Sequence, residues 1–229
     1  MRRLSTSFTL LLVTALPLQA AEFSAGPGIL LTDPIQRGAD DDPRLIPLIT
    51  VEGERFYFRG IEAGYRLVDQ QRHGTAVYLR PRFDGFDADD DPFLRGMDDR
   101  DDSLDLGIRT TVSLGGWELG GRLATDALDR HDGQEAVLTL GYPWSAGRWR
   151  LTPYLGVEWQ SADLVDYYYG VENDEARAGR PAYAAGGTVN GRYGLRAFGR
   201  LSARWSAMVI LAGTRPGSEI TDSPLVTDD

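Results

Sequence analysis

The 229-residue sequence predicts an all-β chain, an antiparallel transmembrane β-barrel of about ten to twelve strands. Three observations predict it. Apolar and polar residues alternate with a period of two along most of the chain, and a helical period is hard to find. Several alternating runs reach ten residues or more, whereas strands of soluble proteins run to about five or six. Tight connections on one side answer long polar ones on the other, as on the two rims of an outer-membrane barrel.

The elements follow in chain order. Arg2 and Arg3, the apolar stretch Phe8 to Leu18 and the small residues around Ala20 predict a secretory signal over residues 1–20, too short to span a bilayer as a helix. The barrel domain then occupies residues 21–229. Strands are expected at Glu22 to Leu31, Leu45 to Glu52, Arg55 to Leu67, Thr75 to Asp84 and Ser103 to Leu114. Five more follow at Trp117 to Asp126, Glu135 to Trp144, Arg148 to Gln160, Thr188 to Leu201 and Arg204 to Thr214. Turns at Gly115-Gly116, Ser145 to Gly147 and Leu201 to Ala203 are tight. Connections at Thr32 to Arg44, Gly85 to Asp102, Ser161 to Tyr183 and beyond Arg215 are long and polar.

Alternation alone does not say which face meets water, because a soluble barrel alternates as well. Trp149 and Trp159 share one face ten residues apart, roughly 25 Å along a tilted strand's barrel axis, which is the height of a membrane apolar band with an aromatic at each rim. With the oily face outward, Arg80, Arg82, Arg109, Arg122, Arg150, Arg192 and Arg196 face the lumen beside Asp84, Asp105, Asp126 and Glu158. A mutually neutralising filling that holds a narrow barrel shut is favoured over an ion pathway.

Composition excludes several chemistries. All 24 basic residues are arginine and cysteine is absent, so there is no Schiff-base lysine, thiolate ligand or disulfide. The formal charge of -10 argues against a nucleic-acid partner. His73 and His131, the only histidines, fall in polar turns and are expected to be solvated rather than catalytic. The aspartate-rich tract Asp87 to Asp102 is expected to be a solvated loop rather than a calcium site. No catalytic residue, cofactor or metal is therefore expected, and the chain is read as not an enzyme.

One segment of the long loop is unusual: Tyr167, Tyr168, Tyr169, Gly170 and Val171, followed by Glu175, Arg180 and Pro181. Either the rings cover apolar strand ends while Arg177 and Arg180 pair with the neighbouring acids, or the rings are exposed anchors for a partner. The first is favoured, because anchoring needs only one or two rings. With Arg55 to Gly60 after the Pro47 strand, Asp98-Asp99-Arg100, and Asp222-Ser223-Pro224-Leu225-Val226, the chain resembles the MltA-interacting protein (MipA/OmpV) family of outer-membrane barrels over nearly its whole mature length. The resemblance implies a monomeric, non-enzymatic barrel in outer-membrane lipid. It further implies a scaffold or adaptor for peptidoglycan-remodelling enzymes, a lytic transglycosylase and a penicillin-binding peptidoglycan synthase. A small porin-like channel or a surface adhesin is the alternative. Family members continue past the Ser-Pro-Leu-Val segment through one more amphipathic strand, so the closing strand is expected to be missing here.

Overall fold

The computed structural model describes residues 22–33, 35–37, 43–89 and 91–227, and the expected signal at 1–20 lies outside them. The strands are β1 (Glu22–Leu30), β2 (Arg44–Glu52), β3 (Phe56–Arg59), β4 (Glu62–Gln70), β5 (His73–Arg82) and β6 (Ser103–Leu114). They continue as β7 (Trp117–Asp126), β8 (Gln134–Gly141), β9 (Trp144–Ala146), β10 (Trp149–Gln160), β11 (Thr188–Arg200) and β12 (Ser206–Arg215). All join one antiparallel sheet in which sequence neighbours pair, with β9 continuing β8 along β10. Two short helices, α1 (Ala162–Tyr169) and α2 (Ser218–Thr221), lie in the long connections.

Side-chain exposure decides what alternation could not. Leu106, Ile108, Leu123, Leu138, Leu140, Leu155, Val157 and Val189 point outward and are exposed, while Arg82, Asp105, Glu135 and Glu158 are buried. A water-soluble barrel has the reverse arrangement; this one is built for lipid outside and polar groups inside.

Two expected strands are broken. Arg55 to Leu67 is a hairpin, β3 and β4, turning at Gly60, whose φ of 63° suits glycine. The sequence carries the signal as a change of phase, since Phe56 and Phe58 face outward at even positions, whereas Leu67 faces outward at an odd one. Glu135 to Trp144 is interrupted at Tyr142-Pro143. Opposite that break, β10 carries Pro153, which lacks the N–H that a continuous ladder would require.

Three lumenal aromatics lie directly opposite glycines on the next strand, Tyr57 facing Gly64, Tyr78 facing Gly107 and Tyr154 facing Gly194, and on the outer face Tyr193 likewise lies opposite Gly213. The glycine leaves room for the ring to lie across the strand, an arrangement that fixes register. A Cβ at Gly107 would come 2.5 Å from both the Tyr78 ring and the Leu123 carbonyl oxygen.

Among the described residues the sheet is not closed, and β1 and β12 are its two edges. Their outer ends are nonetheless tied. Gln36 and Val226 form an antiparallel bridge, Arg37 N donates to Leu225 O at 2.8 Å, and Thr227 N donates to Ile35 O at 2.9 Å. Pro27 and Pro47 face each other across β1 and β2. Since neither can donate, their nitrogens turn to the outer side of each strand, where β1 has no neighbour and β2 has one only near its end.

Gly107→Val is expected to destabilise the barrel by about 1–3 kcal/mol, because the Leu123 backbone cannot move aside. The check is the temperature at which the folded, fast-migrating band is lost on heat-modification gels.

Candidate functional site

The upper lumen is a connected set of arginines and carboxylates supplied by β5 to β8 and by β10 and β11. Arg80 donates to Asp105 at 2.7 Å. Arg82 donates to Asp105 at 3.0 Å, Glu135 at 3.1 Å and Asp84 at 2.8 Å, and Arg122 also holds Glu135. Arg192 donates to both oxygens of Glu158 at 3.0 Å, beside an Asn190–Gln160 amide pair at 3.0 Å. Lower down, Arg109 pairs with Glu62 at 2.8 Å and Arg196 with Glu118 at 2.6 Å. Arg150 lies at the turn end of β10 and is exposed. Buried partners of this kind hold geometry more than they add stability.

Above the lumen, the long connections fold into a cap. Ser161 caps α1, its hydroxyl accepting from Leu164 N, so the expected loop Ser161 to Tyr183 starts with a helix. Tyr168 is 1% exposed, its hydroxyl donating to Asp101 O at 3.3 Å, while Asp101 N donates to the Tyr167 hydroxyl at 2.9 Å. The Glu175 carboxylate receives Arg100 through two 3.0 Å bonds and the backbone N–H groups of Asp98 and Glu172 at 2.9 Å. Ser223 Oγ donates to Tyr169 O at 2.6 Å and accepts from Leu225 N at 3.1 Å. Two small apolar cores lie beneath: Phe86, Leu94, Met97, Val171 and Leu225, and Leu164, Val165, Ala185 and Ile220.

The tyrosine, Glu175, Arg180 and Asp222 to Pro224 segments thus meet in one place. Tyr168, Gly170, Val171, Glu175, Arg180 and Ser223 are buried, Tyr167, Tyr169 and Pro224 are partly covered, and only Pro181 and Asp222 are exposed. Arg177 and Arg180 were expected to pair with acids. Instead both donate to backbone carbonyls, Arg180 to Glu175 O and Phe93 O and Arg177 to Pro92 O and Phe93 O, and Arg100 supplies the carboxylate pair. The acidic tract was expected to be solvated, yet Phe86, Leu94 and Met97 within or beside it build a core. The Phe93-Leu94 pair and Met97 are the signal that its aspartates obscured. Among the described residues, no group of three or more His, Asp or Glu is arranged to hold a metal.

His131 corrects another expectation, being 3% exposed rather than solvated. It lies against the rings of Tyr167 and Tyr168, its Nδ1 accepts from Gly133 N at 3.0 Å, and its Nε2 is 4.0 Å from Asp126. Burial pushes the imidazole below its ordinary value, partly offset by the nearby Asp126 charge. At Glu175 burial acts to raise the pKa, but the N–H donors of Glu172 and Asp98 and the Arg100 guanidinium outweigh it and hold the carboxyl below its usual range. His73, at the start of β5, has its Nε2 2.9 Å from Thr75 Oγ1.

The opposite rim is simpler and oppositely charged. Arg55, Arg72, Arg148, Arg150, Arg200 and Arg204 are exposed on or beside the short turns, and none is paired with a carboxylate among the described residues. Trp117, Tyr142, Trp144 and Trp205 lie near the same turns, each more than 40% exposed, as an interfacial aromatic girdle requires. Short turns place this rim on the periplasmic side and the cap outside.

Comparison with known proteins places this geometry. A family profile described as "MltA-interacting protein MipA" matches residues 25–229. The MltA-interacting protein of Escherichia coli K12 is 31% identical over 210 residues, covering 90% of this chain and 84% of that protein. The putative outer membrane protein YiaT of the same organism is 29% identical, covering 90% and 85%. The outer membrane protein OmpV of Vibrio cholerae is 32% identical over 150 residues, covering 66% and 58%. No solved structure matches.

Tyr168→Ala is expected to weaken the cap by about 3–5 kcal/mol, as for truncation of a buried aromatic, whereas Tyr168→Phe costs less than about 1 kcal/mol because the hydroxyl bond is long. Hydrogen exchange of α1 amides reads the difference. Acid should open the cap in two stages. His131 is harder to protonate folded than unfolded, so its contribution is full above its ordinary value of 6.5 and falls below it. Glu175 is likewise lowered, so its contribution is full above 4.5 and is lost as pH falls through the folded value. Cap cleavage by an acid-tolerant protease should therefore rise first below about pH 6.5 and again below about pH 4.5, and Glu175→Gln should remove the second rise.

Proposed function

The chain belongs to the MltA-interacting protein family, and we propose that this outer-membrane barrel is a scaffold that holds peptidoglycan-remodelling enzymes, a lytic transglycosylase and a penicillin-binding synthase, at the inner face of the membrane. The observation that carries the reading is the basic periplasmic rim, the face a scaffold for cell-wall enzymes would present to them, in a chain similar to one named for its interaction with MltA. Among the described residues six arginines of this rim have no carboxylate partner, while Glu52, Asp69 and Glu118 beside them are held by Arg59, Arg66 and Arg196 and Glu54 is exposed, so the rim favours an acidic partner surface. The barrel itself is a rigid, monomeric platform with no catalytic role. His131 is buried against tyrosines, and His73 meets a threonine hydroxyl without an orienting acid.

The porin-like alternative has against it a lumen filled by mutually paired charges under a folded cap. An adhesin would instead use the outward groove lined by Tyr167 and Tyr183. Capture of a purified lytic transglycosylase by the detergent-solubilised barrel separates the readings. Reversal of Arg72, Arg148 and Arg204 to glutamate should weaken capture at least about tenfold and steepen no cap opening, while Tyr168→Ala leaves capture intact. Capture that survives the reversal and fails with the cap variant would reject the scaffold.

A further inference from the structure

The excess charge of the periplasmic rim sits in one sector. The lower halves of β8 to β12, residues 138–156 and 193–211, contain Arg148, Arg150, Arg196, Arg200 and Arg204 and no acidic residue. Glu118 on β7 reaches Arg196 at 2.6 Å and neutralises that one. On the β1 to β5 side the strand ends and turns carry Glu22, Glu52, Glu54 and Asp69 among four arginines, so charge there is balanced.

The direction of these side chains narrows what they meet. β10 and β11 pair without interruption from Trp149–Gly199 to Gln160–Thr188. The face of Arg192, which donates to lumenal Glu158, is therefore also the face of Arg196, Phe198 and Arg200, and Arg150 lies directly opposite Phe198 on it. A lipid headgroup outside the wall cannot reach this face, whereas a molecule entering the mouth from the periplasm can. Arg150 and Arg200 are exposed and have no carboxylate partner among the described residues, and Phe198 is 49% exposed although it stands on the polar face. An apolar ring left open between unpaired guanidinium groups is a contact surface and not lumen filling.

We propose that the periplasmic mouth binds an extended acidic segment of the captured enzyme, in which an apolar side chain stands between two carboxylates. The proposal deepens the scaffold reading and rests on it. Phe198 and Arg200 are two residues apart along β11, about 6.6 Å, and an extended segment repeats its side chains on one face at the same interval. Its apolar side chain meets Phe198, one carboxylate meets Arg200, and the other lies within the sweep of the long Arg150 side chain. Arg148 and Arg204 on the turn tips add a field that draws acid toward the opening. The Arg196–Glu118 pair crosses the mouth above, so the segment docks and does not thread the barrel.

The probe is the blocked peptide Glu-Ser-Phe-Ser-Glu carrying an uncharged fluorophore, followed by anisotropy with the full chain in neutral maltoside micelles at low salt. One saturable site is expected. Binding should be at least about tenfold weaker for the peptide Gln-Ser-Phe-Ser-Gln and in Arg150→Gln and Arg200→Gln proteins, and at least about threefold weaker in Phe198→Ala. Heat-modifiable migration shows that each variant folds. Should one not fold, the unaltered protein decides. With benzoylphenylalanine in place of the peptide's phenylalanine, photo-crosslinks should map to the lower ends of β10 and β11, and crosslinks confined to other strands would overturn the proposal. So would unchanged affinity in folded variants, or equal binding of the glutamine peptide. Displacement by cell-wall muropeptides at equal concentration would assign the mouth to the wall itself and overturn it as well. Capture of the lytic transglycosylase is measured alongside. Capture by a barrel that shows no peptide site overturns this inference and leaves the scaffold standing. A peptide site in a barrel that captures no transglycosylase rejects the scaffold, while the site for an acidic segment stands.

Discussion

Everything in this molecule follows from surrounding a narrow barrel with hydrocarbon. Outward positions must be apolar, so each alternate residue is forced inward, and a chain with 25% charged residues has to place many of them in a space a few side chains wide. A charge left alone there is prohibitively costly, which makes pairing a condition of folding rather than an ornament. Arg82 shows the consequence: one guanidinium serves Asp84, Asp105 and Glu135 at once and joins three strands and a loop. Arginine suits this better than lysine because its planar fork makes several directed bonds and never deprotonates. The complete absence of lysine is consistent with that demand, although it extends to surface positions where the lumen argument does not apply.

The filling determines how the outer end is built. With Glu135 and Asp105 occupying the top of the lumen, a layer above must be polar below and still have its own core. The cap meets both needs. Tyr169 borders the charged cavity, Tyr168 is packed against His131, and Leu164, Val165 and Ile220 form an apolar centre away from the lumen. The bridge between Gln36 and Val226 links the cap's chain end to the segment after β1, across the one place where the sheet has two edges.

The barrel was legible in the sequence because period two is a strong local signal, and Ser103–Leu114 and Trp117–Asp126 fall where alternation places them. What failed to show was anything set by non-local contact. Arg55 to Leu67 reads as one strand unless the phase change across Gly60 is noticed, and the break at Pro143 is visible only once Pro153 is known to lie opposite. The lumenal arginines could be assigned from parity, but Glu135 could not be singled out as the carboxylate shared by Arg82 and Arg122, since register across three strands decides that. In the cap, composition misled. Aspartates around Leu94 and Met97 suggested solvation, and the acids near Arg180 suggested ion pairs that its carbonyl ligands replace.

Asymmetry between the rims gives the architecture its functional direction. The outer end spends its polar residues on itself: Glu175 is saturated by Arg100 and two backbone donors, and Arg180 by carbonyls, so little of that motif is left to meet a partner. The inner end does the opposite, with turns too short to fold on themselves and arginines that no carboxylate neutralises among the described residues. A surface whose charges are unspent is the one whose field reaches a second molecule.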